Sequence, residues 1–313
     1  MITHTITQEE AGRKLSRFLE KLLPKAPRSL FFKAVRHNKI RVNNRHPKDL
    51  SLILEAGDEV RLYYTEDELV SFGYGAVSQK NNQKPLPAVP VLYEDEFLLI
   101  LDKPVGLLSQ KSRPDDVSLT EVARQMLQVA PEAVYQPGVC NRLDRNTAGA
   151  VIVAKQLKAA QAVQVMLEKR FLRKYYWALV EGVPVKWQNE QLLVHGWRKD
   201  ERYNKAEVIT WQEALIGYQK IESSVRLLKS FGSYSLVEVE LLTGKGHQIR
   251  AQLAAEGFPL LGDGKYNPNA KHFRPMLLAK QLVFENTPAP LAYLNGKKIE
   301  ASVPKAMAVM LTD

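Results

Sequence analysis

Residues 138–155, GVCNRLDRNTAGAVIVAK, place one carboxylate, Asp144, between Arg142 and Arg145 in otherwise small or apolar surroundings. A neighbouring cation keeps a carboxylate ionised and so available as a nucleophile. A spare arginine beside it could reach a phosphate or fill the gap left by a flipped base. The plainer alternative is a surface salt bridge capping a strand. Two further polar groups interrupt apolar runs. One is Lys174, Tyr175 and Tyr176 at the entry of a strand. The other is TGKGHQIR, residues 243–250, whose glycines precede a helix start where free N–H groups could meet anionic oxygens.

Other chemistries find less support. A single cysteine, Cys140, allows no internal disulfide and no cysteine-based metal cluster. There is no HExxH, and His247 alone is as readily a hydrogen-bonded structural histidine as a ligand. A GxSxG elbow is absent, and GDGKYNPN lacks the spacing of a P-loop. A paired-carboxylate glycosidase needs a second acid; Asp263 in LLGDGKY is a candidate, but that loop is as easily a capped turn. The net charge of +10 makes a nucleic acid the first partner to test. No apolar run reaches membrane-spanning length, and MITHTITQEEAGRK is acidic where a signal peptide is apolar. A cytoplasmic protein is expected.

The elements that must position these residues can be read next. VLYEDEFLLILDKP gives a turn and strand, SLTEVARQMLQV a helix, and AVIVAK a buried strand. LKAAQAVQVMLEKRFLRK is a helix with apolar face Ala160, Val163, Met166, Leu167 and Phe171. YYWALVEG and SLVEVELL are strands by composition, HQIRAQLAAEG is a helix ending at Gly257, and KQLVF is a late strand. The irregular alternation argues a mixed sheet. Residues 1–65 hold 13 Lys or Arg against 7 Asp or Glu, a net of +6. There RKLSRFLEKLL puts Leu15, Phe18, Leu19, Leu22 and Leu23 at helical spacing, and APRSLFFKAVRHNK repeats the pattern. A compact RNA-binding module fits, as does a small domain whose charge only confers solubility. Residues 66–90 are polar, rich in Gly, Pro and Asn, and read as a linker.

RKLSRFL, SLFFKAVRHNKIRVNN and AGDEV resemble the S4 RNA-binding domain, over about residues 13–63. The resemblance implies that Arg28, Lys33, Arg36 and Arg41 face RNA phosphates. NRLDRNTAGAVIVAK resembles the catalytic motif of the RluA-type pseudouridine synthases, a family that includes large-subunit rRNA enzymes. LDKPVGLLS, RKYYWALVEG, LLTGKGHQIRAQLAAEGFPLLGDGKY and RPMLLAKQLVF resemble its other motifs, in the family's order. The implied fold is α+β: a largely antiparallel mixed central sheet with flanking helices over residues 91–313, preceded by a small S4 α/β domain over 1–65. The implied chemistry is isomerisation of uridine in structured RNA, with large-subunit rRNA ahead of tRNA. Asp144 matches the catalytic aspartate, Tyr176 the tyrosine that stacks on the base and helps remove its C5 proton, and Arg250 the arginine that pairs with the aspartate; neither cofactor nor metal is implied. Arg142 matches the residue that enters the RNA stack, and Arg145, Lys174, His247 and Gln248 are expected at the RNA or the flipped base. Neither DNA nor a membrane is an implied partner, and a monomer is expected.

Asn141, Asn146, Ala148, Lys245, Gly246, Gln252 and Leu278 depart from the family's usual choices. They leave open a catalytically weak RNA-binding or ribosome-assembly protein on the same fold, beside the less favoured glycosidase.

Overall fold

The computed structural model describes residues 1–74, 86–113, 115–130, 133–214, 216–270 and 274–312. The first elements are β1 (Ile2–Thr5), α1 (Leu15–Leu22), α2 (Arg28–Arg36), β2 (Ile40–Val42), β3 (Glu59–Leu62) and α3 (Glu66–Ser71). The strands form an antiparallel sheet in the order β1-β3-β2. Leu15, Phe18, Leu19 and Leu22 on α1 and Phe31, Ala34 and Val35 on α2 cover it, giving this part its own core. The apolar stripes expected from the sequence are the buried ones except at Leu30, which is half-buried.

Helix α3 falls where a linker was expected. Six residues are too few to show a period, but Thr65 and Glu68 form a reciprocal capping box. Leu69 is buried in the N-terminal core, so this part of 66–90 extends the first module. Residues 75–85 of that stretch lie outside the described residues. Val134 joins the same core; its carbonyl accepts from Arg13 (3.0 Å) and its N–H donates to Glu10 (3.1 Å).

The rest contains β4 (Val91–Glu94), β5 (Leu98–Lys103), α4 (Leu119–Met126), β6 (Gly138–Val139), β7 (Ala148–Ala154), α5 (Leu157–Glu168) and β8 (Leu172–Glu181). These are followed by β9 (Gln191–Asp200), β10 (Lys205–Thr210), β11 (Gln219–Ser230), β12 (Tyr234–Leu241) and α6 (Gln248–Ala255). Last come β13 (Leu277–Phe284), β14 (Lys298–Glu300) and α7 (Lys305–Thr312). One 11-stranded sheet runs β10-β9-β11-β12-β8-β13-β7-β5-β4, with β14 beside β13 and β6 beside β7. Every pairing is antiparallel except β13 with β7. The mixed, largely antiparallel sheet is the one expected.

Strand β7, AGAVIVA, is buried throughout because it is covered on both faces. Val151 and Val153 enter the core beneath α4 and α6, whereas Ala150, Ile152 and Ala154 enter the one beneath α5 and α7. Helix α5 is shorter than expected and rotated slightly: it ends at Glu168, Ala159, Ala162, Val163 and Met166 are buried, Ala160 and Leu167 lie at the core's edge, and Phe171 follows the helix just before β8. Gly149 has φ +121°, and a Cβ there would stand 2.3 Å from the Ala279 carbonyl oxygen. The absence of a side chain lets β13 close on the strand that follows Asp144.

Candidate active site

Asp144 lies in the loop between β6 and β7, and the expected strand-and-turn segment DKPVGLLS holds that loop from below. Lys103, at the end of β5, is fully buried. Its Nζ donates to the carbonyls of Leu107 (2.8 Å), Pro104 (3.1 Å) and Arg145 (3.3 Å). Burial lowers its pKa to about 8 against the pull of the Asp144 charge. Gly106 N–H donates to the Arg145 carbonyl (2.8 Å), and Arg145 Nε donates back to the Gly106 carbonyl (3.0 Å). Ser109 Oγ accepts from Leu143 N–H (3.0 Å) and donates to the Leu143 carbonyl (2.9 Å). The residues on both sides of Asp144 are thus pinned by backbone contacts, and Asp144 is left at the crest.

The cation that meets Asp144 comes from 106 residues further along the chain. Arg250 Nη1, on α6, donates to Asp144 Oδ2 at 3.2 Å. The other side of the guanidinium is gripped by Asp263, with Nε to Oδ2 at 2.8 Å and Nη2 to Oδ1 at 2.7 Å. Asp263 is wholly buried and also accepts from Lys265 N–H (3.1 Å). Burial works against the Arg250 charge, but the two carboxylates outweigh it and raise its pKa. Asp263, considered above as a second glycosidase acid, is therefore fully engaged in holding Arg250.

Tyr176 and Tyr175 point to opposite faces of β8. Tyr176 is buried and shares the lining of a cleft of about 60 Å³ with Arg142, Leu143, Asp144, Thr147 and Arg250. Burial, reinforced by the Asp144 charge, pushes its phenol far above the usual range, so it stays protonated. Tyr175 lies on the other face with Arg173 over its ring. Lys174, two residues from Tyr176 and on its face, lies beside Gly244; burial and then Arg170 lower its pKa.

His247 caps α6 in a left-handed conformation, φ 57°. Its Nε2 is 3.8 Å from Asp144 Oδ2 and its Nδ1 is 3.0 Å from the Tyr266 hydroxyl. Burial pushes its pKa down despite Asp144. Tyr266 also accepts from Ala206 N–H (2.6 Å) and stacks by the Arg250 guanidinium, 5.2 Å from its carbon.

Arg145 is exposed, with its Nε on the Gly106 carbonyl and not on Asp144. Gln248 lines the Asp144 cleft with its amide engaged inside the protein. It is 2% exposed, its Oε1 accepts from Thr243 Oγ1 (2.9 Å) and Lys245 N–H (3.1 Å), and its Nε2 donates to the Glu222 carbonyl (3.0 Å). It folds the 243–247 loop, and so occupies a backbone N–H that was expected to meet an anion. In the first module Arg28, Lys33 and Arg36 are exposed, and Arg41 is half-buried with Nε on Asn38 (3.2 Å). They stand apart from the Asp144 cleft lining.

Sequence reasoning passed over Lys103 and Tyr266. Lys103 lay within a quoted motif, but a lysine ending a strand ordinarily points to water. The departures Asn141 and Gln252 have structural explanations. Asn141 Oδ1 accepts from Ile152 N–H (2.8 Å) and its Nδ2 donates to the Ala150 carbonyl (3.2 Å), completing the edge of β7. Gln252 accepts from Ser223 Oγ (2.8 Å) and meets His195 Nδ1 (3.2 Å) inside the protein.

The sequence model of the RNA pseudouridylate synthase family matches residues 97–255. An uncharacterised RNA pseudouridine synthase of Synechocystis is 32% identical over 268 residues, covering 83% of this chain and 76% of its own length. Ribosomal large subunit pseudouridine synthase C of Escherichia coli is 30% identical over 267 residues, covering 83% and 78%. Among solved structures, human RNA pseudouridylate synthase domain containing 4 matches with TM-score 0.56 at 23% identity, over 71% of this chain and 91% of that one, a likeness of fold. With Asp144, Tyr176 and Arg250 gathered around one cleft, the chain belongs to the RNA pseudouridylate synthase family and is an RNA pseudouridine synthase.

Proposed function

We propose that this enzyme isomerises uridine in large-subunit ribosomal RNA, with Asp144 as the carboxylate that acts at the ribose. The observation that carries the assignment of roles is the fixed set of Asp144, Arg250 and Tyr176 around one cleft. The choice of RNA draws on the named activity of the Escherichia coli relative. Asp144 acts while the bond between uracil N1 and ribose C1′ breaks. The freed uracil turns, C5 bonds to C1′, the C5 proton leaves and N1 regains one. Arg250 keeps the carboxylate aimed, and the ring of Tyr176, its phenol protonated, packs on the uracil. Arg142 enters the RNA stack as the nucleotide leaves it, since the reacting bond is out of reach in a stacked helix. Lys174 and His247 flank the turned-out nucleotide.

Residues 1–65 act as an S4-like module whose Arg28, Lys33, Arg36 and Arg41 take up phosphates, and 91–313 carry the chemistry. The protein works as a monomer in the cytoplasm. Among the described residues no helix is long and apolar enough to cross a membrane. The substrate is tested by tritium release from C5-labelled RNA, offered as unmodified large-subunit rRNA and as a tRNA pool. Release from the rRNA supports the proposal, and release from tRNA alone overturns it.

A further inference from the structure

The exposed side of α2 carries Arg28, Ser29, Phe32, Lys33 and Arg36. Phe32 is 63% exposed, while every other described phenylalanine is buried or half-buried. A phenylalanine has no polar tip to justify that position. Arg28 and Arg36 stand one turn before and after it on the same line of the helix, about 6 Å away along the axis on each side. A groove of about 430 Å³ opens beside the ring, with Lys14, Ser16, Glu20, Arg28 and Asp49 on its walls and Phe31 and Leu50 at its buried floor. That volume is within the range of small-ligand sites, roughly 300–1,000 Å³.

We propose that Phe32 is a stacking platform for one unpaired nucleobase of the RNA substrate, whose flanking phosphates lie on Arg28 and Arg36. The proposal rests on the chain being an RNA enzyme and adds the class of RNA feature that its first module selects. Charge complementarity names the occupant. The outer faces of α1 and α2 carry Arg17, Lys21, Arg28, Lys33 and Arg36, with Glu20 as the acid among them. Glu20 accepts from Arg17 (2.9 Å) and Arg28 (2.5 Å). Both arginines are largely solvent-exposed, and such surface pairs are weak enough to exchange for phosphate. Asp49 is occupied by Ser51, through its N–H (2.6 Å) and hydroxyl (2.5 Å). A polyanion that also offers flat apolar faces fits this surface, whereas an apolar protein helix would leave the guanidinium groups without counter-charge. Aromatic side chains beside a basic track are how proteins hold splayed-out bases.

The test measures binding of the full chain to a stem–loop RNA and to a fully paired duplex of equal length, for wild type, Phe32→Ala, Phe32→Leu and Phe32→Trp. Stacking on one base corresponds to roughly a 5- to 150-fold loss of affinity on truncation. The expected result is such a loss for Ala and Leu on the stem–loop, recovery with Trp, and no difference on the duplex. Circular dichroism should show every variant folded, since the side chain is outside the core. Equal binding by all four proteins, or a Leu variant as tight as wild type, overturns the proposal. So does a wild type that self-associates through Phe32 in sedimentation while RNA binding ignores the substitution. A wild type that releases no tritium from any uridine-labelled RNA would instead sink the enzymatic assignment beneath it.

Discussion

Arg250 serves two carboxylates unequally, and the difference can be measured. Asp263 makes two short charge-assisted bonds to it at 2.7 and 2.8 Å and is wholly buried. Asp144 makes one bond at 3.2 Å from a side chain that is 30% exposed. Asp263→Ala strands a buried guanidinium and the Lys265 N–H, and removing one partner of a buried pair costs about 3–5 kcal/mol. Asp144→Ala takes away a partly solvated partner and leaves Arg250 paired, a change of less than about 1 kcal/mol. Urea unfolding followed by tryptophan fluorescence suits the comparison, because Trp177, Trp187, Trp197 and Trp211 all lie beyond residue 91. With a slope of about 3 kcal/mol/M, the Asp263→Ala midpoint should fall by about 1 M or more, and the Asp144→Ala midpoint should stay near wild type. Activity should rank the other way: none for Asp144→Ala, and a residual rate for Asp263→Asn, which keeps one acceptor for Arg250. Equal destabilisation by the two alanines would refute the claim that Asp263 is the anchor.

Three further outcomes are expected. Tyr176→Phe should keep tritium release within about tenfold of wild type, because a phenol held protonated works through its ring; Tyr176→Ala should lose at least about a hundredfold, read as single-turnover rates. Burial lowers the Lys103 pKa to about 8, so between pH 8 and the ordinary lysine value the folded chain binds fewer protons than the unfolded one. Stability from this group therefore rises with pH across that window and is flat below it; urea midpoints at pH 7.5 and 9.5 should show the rise in wild type and lose it in Lys103→Met. Replacing Arg28, Lys33 and Arg36 together by alanine should flatten the slope of log affinity against log salt by about 2–3 units, measured by titrating RNA binding with KCl.

How much of this was legible beforehand follows from where each signal resides. Asp144, Tyr176 and Arg250 sit in contiguous motifs, and the covered strand AVIVA announces itself by composition. Strands β9, β10 and β11 escaped notice because many of their residues face water without strict alternation, and no apolar run in Gln191–Ser230 exceeds three residues. The grip of Asp263 on Arg250, the seat of Lys103 under Arg145 and the inward turn of Gln248 are decided by tertiary packing. A side chain's letter does not tell which way it points. Asn141 shows the same limit from the other side. As a departure it suggested a drifted site, yet its amide completes the backbone pairing of β7 beside Asp144.

The most direct test of the central claim is tritium release from C5-labelled, unmodified large-subunit rRNA by wild type and by Asp144→Ala at equal, saturating enzyme. The expected result is one or a few equivalents released per RNA by wild type and none by the variant, with both proteins folded and binding RNA. Release by Asp144→Ala at the wild-type rate would contradict the assignment of Asp144. No release by a wild type that binds the rRNA tightly would contradict the proposed substrate.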